Sequence, residues 1–179
     1  MDKPILARAQ ADVDAAFHCA LIPPAKEPQG AATLCDAMTE SGVKRLVDLS
    51  SAAVFGELEG QLVDSMSPPA ELDAYATRKE RAEEVLRSRS GPKVTVLRPT
   101  LVYRPFDTKL WTEKVARRVL SGQWGTLGRL GEGTCNLLYV QDLEEAMLTC
   151  FLTPASVGET MIVNGPDVVT WNGSVARNA

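Results

Sequence analysis

The apolar positions of this 179-residue chain alternate between two periodicities. VDAAFHCALI (13–22) and VKRLVDLSS (43–51) are short apolar runs that end in small or polar residues, the pattern of buried strands. Between them GAATLCDAMTES (30–41) sets Leu34, Ala37 and Met38 at helical spacing. The unit then repeats. AELDAYATRKERAEEVLRSRS (70–90) is a charged amphipathic helix with Val85 and Leu86 on its inner side, and KVTVLRPTLVY (93–103) is a strand rich in β-branched residues. Strand, helix, strand, helix, strand predicts an α/β fold of buried parallel strands joined by helical crossovers.

The remainder is less regular. TKLWTEKVARRVLSG (108–122) predicts a helix, CNLLYV (135–140) a strand, and DLEEAMLTCFL (142–152) a helix in which Asp142 and Glu145 have capping-box spacing. ETMIVNG (159–165) predicts one more strand, and TWNGSVARNA stands where a further element is expected to start. No linker or low-complexity stretch divides the chain.

Composition narrows the function. With 45% hydrophobic and 23% charged residues, the chain reads as a soluble globular domain large enough to bury a core. The 19 basic and 23 acidic residues are spread along it, so no basic stripe is available for nucleic acid. No apolar run reaches the roughly 20 residues needed to span a bilayer, and MDKPILARAQADVD is too polar for a signal peptide. The expectation is a cytoplasmic protein without a membrane partner. Cys19, Cys35, Cys135 and Cys150 lie far apart, no CxxC pair occurs, and the chain has one histidine. That predicts buried free thiols and no metal site.

In an open parallel sheet, ligands bind beyond the carboxyl ends of the strands. Three groups are expected there: His18 to Leu21, Ser50 with Ser51, and Arg98 with Pro99. The helix joining the second strand to the third carries Tyr75 and Lys79, four apart and so on one face. A nearby ammonium favours phenolate, which a tyrosine needs to exchange a proton with an alcohol near neutral pH. Ser51 could hydrogen-bond the same substrate oxygen as it passes between hydroxyl and carbonyl. Tyrosine and lysine at this spacing are also common in ordinary helices, and serines often end strands.

The combination is more specific. SSAAVFG, then YATRK, then LRPTLVY resembles the extended short-chain dehydrogenase/reductase family, which includes NAD-dependent epimerases, dehydratases and 3β-hydroxysteroid-type dehydrogenases. DVDAAFHCA, GVKRLVDLSS and YVQDLEEAM are similar to three further family segments, so the resemblance runs from about Asp12 to Trp171. It implies a partial Rossmann-type sheet over 1–106 and part of a small substrate lobe over 107–179. It also implies that Tyr75 donates or accepts the proton, that Lys79 tunes it and holds the nicotinamide ribose, and that Ser51 completes the set. Cys19, Ala20, Leu21 and Ser50 would line the cofactor, NAD or NADP, with Pro99 and Val102 beside its nicotinamide. The partner is then a small-molecule substrate.

Several positions depart from the family pattern. Family members open with a strand, a glycine-rich turn and a helix that together hold the dinucleotide pyrophosphate. This chain is expected to start after them, truncated at its N-terminus and at its C-terminus. GTLGRLGEG (125–133) contains GxxGxxG, but it precedes a strand, and a phosphate loop must open a helix. Ala52 and Ala53 stand where related dehydratases carry an Asp-Glu pair, which disfavours that dehydration route. Cys135 and Leu101 replace the arginine and asparagine common in sugar-nucleotide epimerases, Arg104 replaces a glycine, and Glu27 replaces an asparagine. Oxidation or reduction of a secondary alcohol or ketone, sugar-like or sterol-like, remains. The alternative is an inactive remnant that does not bind dinucleotide on its own. The strand 13–22, with one side exposed as a sheet edge, would then favour a homo-oligomer.

Overall fold

A computed structural model describes residues 2–10, 12–20, 26–58, 62–69, 73–105, 117–118, 120–122 and 128–173. Its strands are β1 (Ala15–His18), β2 (Arg45–Leu49), β3 (Lys93–Pro99), β4 (Leu101–Tyr103), β5 (Thr134–Cys135), β6 (Leu137–Tyr139), β7 (Thr160–Val163) and β8 (Val169–Thr170). The helices are α1 (Lys3–Ala9), α2 (Glu27–Ser41), α3 (Ala74–Ser88) and α4 (Val140–Leu152). Two compact units result, one of Met1–Pro99 with Glu145–Ile162, the other of Thr100–Glu144 with Val163–Ala179.

The first unit is built on a sheet of order β1-β2-β3-β7. β1 runs parallel to β2, with Ala15 opposite Arg45, and β2 runs parallel to β3, with Arg45 opposite Lys93. Helices α2 and α3 are the crossovers. Ala31, Leu34, Cys35 and Met38 of α2 pack with Ala82 and Leu86 of α3 against Val43, Leu46, Val94 and Val96. Each fully buried leucine or valine here contributes about 1.5–3 kcal/mol. Both crossovers are delimited by local chemistry. Gly42, at φ 75°, ends α2 with Val43 N–H donating back to Met38 O at 2.9 Å. Asp73 caps α3, its carboxylate accepting from Ala76 N–H at 2.7 Å.

α4 ends on the sheet. The Arg45 guanidinium donates to the carbonyls of Phe151 (2.5 Å) and Cys150 (3.0 Å) and lies over the Phe151 ring. The cation thus meets the partial negative charge of a helix C-terminus. Among the described residues β1 is one of the sheet's two outer strands, and its Phe17 is 46% exposed with its ring edge-on to Phe151.

The second unit holds a parallel pair β4–β6 and an antiparallel pair β5–β8. The Gly128–Glu132 turn is fastened by Asn172, whose amide donates to Gly128 O at 2.9 Å and to Glu132 Oε1 at 3.0 Å. A Cβ on Gly131 would come within 2.1 Å of Asn172 Oδ1. A larger residue here would have to displace the Asn172 side chain packed against the turn, and the chain continues into β5 rather than a helix.

Four expectations are corrected. KVTVLRPTLVY is not one strand: β3 ends at Pro99 and β4 joins a different sheet. Thr100 makes the break, its N–H donating to Val163 O at 3.0 Å and its hydroxyl to Asn164 Oδ1 at 3.0 Å. CNLLYV divides likewise into β5 and β6. Asp142 lies within the first turn of α4, which starts at Val140, so it serves the helix dipole rather than the cap position. Cys35, Cys135 and Cys150 are buried as expected, but Cys19 is exposed because β1 ends at His18. The helix expected over 108–122 lies mostly outside the described residues.

Candidate active site

The carboxyl end of β2 and the first turns of α3 lie in the first unit, and their local structure follows from two caps. Ser51, in extended conformation, starts a short 3-10 turn over Ala52–Phe55, its Oγ accepting from Ala53 N–H at 3.1 Å. Gly56 at φ 65° closes that turn. Because Asp73 caps α3, Tyr75 falls in the helix's first turn, where its side chain is 38% exposed. Among the described residues its hydroxyl has no hydrogen-bond partner, and the Arg78 guanidinium lies 5.6 Å from its ring centroid.

Lys79, one turn further, turns inward. Its ammonium donates to Leu49 O at the end of β2 (3.2 Å) and pairs with Glu27 Oε1 at the start of α2 (2.9 Å). Glu27 is 3% exposed, and its other oxygen lies 3.6 Å from Arg78 Nε. Neither that oxygen nor Arg78 Nε has a hydrogen bond among the described residues. One buried carboxylate thus meets two consecutive cations of α3.

Ser50 faces a second buried carboxylate. Its hydroxyl donates to Glu83, which also receives Arg98 Nε (3.1 Å) and Nη2 (2.8 Å) and Arg87 Nη2 (2.7 Å). Arg98 itself stacks on Phe55, 5.0 Å from the ring centroid. Burial would push the Glu83 carboxyl up, but hydrogen bonds from Arg98 and Ser50 and the charges of Arg98 and Arg87 outweigh it. The carboxyl is held below its ordinary value of 4.5. In the sequence Glu83 is one charge among many on a charged helix. Its position eight residues after Tyr75, two turns along the same stripe, was the available signal.

At the end of β1, His18 Nδ1 and Asp48 Oδ1 are 2.7 Å apart, and His18 Nε2 is buried without a partner among the described residues. Cys19 and Ala20 follow, both exposed, and Leu21 lies outside the described residues. Although Cys19 is exposed as a residue, packing around its sulfur pushes the thiol up, the Asp48 carboxylate adds to that, and Lys79 opposes them. A raised thiol remains protonated at neutral pH and is a poor nucleophile. Pro99 is buried at the end of β3, and Val102 lies half-buried on β4 in the second unit.

Residues 5–164 match the NAD dependent epimerase/dehydratase family. The chain is 30% identical over 147 residues to a UDP-glucose 4-epimerase of Vibrio cholerae, covering 79% of this chain and 44% of that protein. It is also 30% identical over 138 residues to the 3beta-hydroxysteroid-dehydrogenase/decarboxylase isoform 1 of Arabidopsis thaliana, covering 73% of this chain and 31% of the relative. The chain therefore spans less than half the length of these curated relatives. Among solved structures, a UDP-glucuronic acid 4-epimerase from Bacillus cereus in complex with NAD superposes with a TM-score of 0.84 at 19% identity, over 99% of this chain and 63% of that one. A dTDP-glucose 4,6-dehydratase double mutant from Streptomyces venezuelae with NAD bound gives 0.83 at 23% identity, over 99% and 60%. At such identities the solved structures establish a shared Rossmann-type α/β fold. The extent of the family match settles the assignment: the chain belongs to the NAD dependent epimerase/dehydratase family.

Proposed function

We propose that this chain carries the proton-transfer half of an NAD(P)-dependent oxidoreductase acting on a secondary alcohol or ketone of a small molecule, sugar-like or sterol-like. The observation that supports the reading is that Ser51 and the Lys79 ammonium both lie at the carboxyl end of β2. Ser51 is fixed there by Ala53 N–H, Lys79 is anchored on Leu49 O, and the exposed Tyr75 stands one turn before Lys79, its hydroxyl without a partner among the described residues. Tyr75 exchanges the proton with the substrate oxygen, Ser51 hydrogen-bonds that oxygen, and Lys79 supplies positive charge nearby.

The residues present fit a dinucleotide at one end. Among the described residues Lys79 has two partners for three ammonium protons, which leaves one for a ribose hydroxyl. When bound, the nicotinamide would take or give the hydride. Cys19, Ala20, Leu21, Ser50, Pro99 and Val102 are the proposed lining, with 1–106 as the dinucleotide-binding part and 107–179 contributing to the substrate side. A second reading draws on the Glu27–Lys79 ion pair: with its ammonium already engaged, the chain by itself holds no dinucleotide.

Fluorescence titration with NADH and NADPH separates the two. Submillimolar affinity supports the enzyme reading, and no binding at millimolar cofactor supports the other. In a turnover assay of the active protein, Tyr75→Phe is expected to lose about 10²-fold or more in kcat with cofactor affinity unchanged. Full activity of that variant would remove Tyr75 from the mechanism.

A further inference from the structure

We infer that Glu27 competes with the dinucleotide for Lys79, so that its carboxylate lowers the affinity of this chain for the cofactor. The inference rests on the proposed function in taking Lys79 as a dinucleotide ligand. It goes beyond that reading by naming the group the ammonium has to leave.

The observations lie in one place, between the start of α2 and α3. Lys79 Nζ is 2.9 Å from Glu27 Oε1 and donates to Leu49 O at 3.2 Å, and its side chain is 12% exposed. Two of its three protons are thus directed into the protein, whereas the vicinal diol of a ribose offers two oxygens. One free proton serves one of them. Leu49 O belongs to the backbone at the end of β2 and is fixed in the sheet, so the contact that can yield to the second oxygen is Glu27.

Yielding is opposed by burial. Glu27 is 3% exposed, and its Oε2 is buried without a hydrogen bond among the described residues, 3.6 Å from Arg78 Nε. A buried carboxylate that loses its one short ion pair keeps only that more distant cation, and an uncompensated buried charge is costly. The apparent affinity of a ligand for Lys79 falls by the fraction of molecules in which the ammonium is free. Charge acts in the same direction, because the pyrophosphate of a dinucleotide is an anion and Glu27 is negative. The other two buried acids of the region do not share this role. Asp48 is paired with His18, and Glu83 is engaged by Arg98, Arg87 and Ser50.

The test is binding of NADH to the full chain at about 0.15 M salt. Saturation-transfer difference NMR reads millimolar affinities, and nicotinamide fluorescence reads tighter ones. The unmodified chain is compared with Glu27→Gln and Glu80→Gln, each with native circular dichroism. Glu80 follows Lys79 in sequence but makes no contact with its ammonium among the described residues, so replacing it removes the same charge without freeing the lysine. Glu27→Gln is expected to bind NADH about tenfold more tightly than the unmodified chain, the factor for an ammonium free in about one molecule in ten. Glu80→Gln is expected to change the affinity by less than about twofold, since salt screens a charge that is not in contact.

Equal affinity in Glu27→Gln and the unmodified chain overturns the inference, as does absence of binding in both or an equal gain in Glu80→Gln. If Glu27→Gln does not fold, Glu27→Asn takes its place under the same criteria. Submillimolar binding of equal strength with and without the carboxylate sinks this inference and leaves the enzyme reading standing. Binding by Glu27→Gln where the unmodified chain shows none at millimolar NADH upholds the inference and sinks the enzyme reading of the unmodified chain.

Discussion

Two glutamates, Glu27 and Glu83, are buried to 3% and 1% exposure, and both take cations from α3, yet their surroundings differ in kind. Glu83 receives two bonds from Arg98, one from Arg87 and one from Ser50, so its lone pairs are fully engaged. Glu27 has one short ion pair, one distant cation and an oxygen without a hydrogen bond. A saturated buried carboxylate locks α3 to β3 and to the serine after β2. An unsaturated one holds a lysine that still has a proton to give. The contrast separates the part of α3 that fixes the fold from the part that carries the proposed proton-transfer pair.

The comparison breaks most sharply at Glu83. Replacing it with alanine leaves Arg98 buried at about 7% side-chain exposure without its counter-ion, which is expected to cost about 3–5 kcal/mol in denaturant unfolding. A loss below 1 kcal/mol would mean that Arg98 finds water. Ser50→Ala removes one hydrogen bond to an ionised group and is expected to cost about 1.5–3 kcal/mol in the same assay. Glu27→Gln should be milder, about 1 kcal/mol or less, because Arg78 and Lys79 are partly exposed and can turn to solvent. A cost equal to that of Glu83→Ala would erase the distinction between the two sites.

Acid sharpens it further. The folded Glu83 carboxyl lies below its ordinary value of 4.5, so its stabilisation is complete above about that pH and is lost as pH falls through the lowered folded value. Unfolding free energy measured from neutral pH down to pH 3 is therefore expected to fall less steeply in Glu83→Gln than in the unmodified chain. Parallel acid limbs would show that Glu83 is not the group being titrated.

Much of this molecule was legible in its sequence because its periods are clean. Leu34, Ala37 and Met38 at helical spacing and the apolar run of β3 give the α/β order directly. Tyr75 and Lys79 sit on the helix so predicted, and Ser50 and Ser51 follow the strand so predicted. What escaped depends on pairs distant in sequence. Glu27 at a helix start reads as an acid favoured by the dipole, and nothing local says that Lys79 will reach it. The break at Thr100 follows Arg98 and Pro99 in a run that otherwise reads as one strand, and it is made by hydrogen bonds to Val163 and Asn164. Of GTLGRLGEG, the described residues 128–133 form a turn that leads into β5, and the side chain packed against Gly131 is Asn172, far along the chain.

The grip of Arg45 on the end of α4 links opening events that would otherwise be separate. Helix ends ordinarily fray first, with free energies near zero. Here fraying of the last turn of α4 must release a guanidinium rooted at the amino end of β2, where Arg45 is paired with both Ala15 and Lys93. The C-terminal turn of α4 and the amino ends of three strands thereby form one cooperative unit. Its amides should exchange with solvent at a common rate, and a protease that cuts after Phe151 would have to wait for the sheet itself to open.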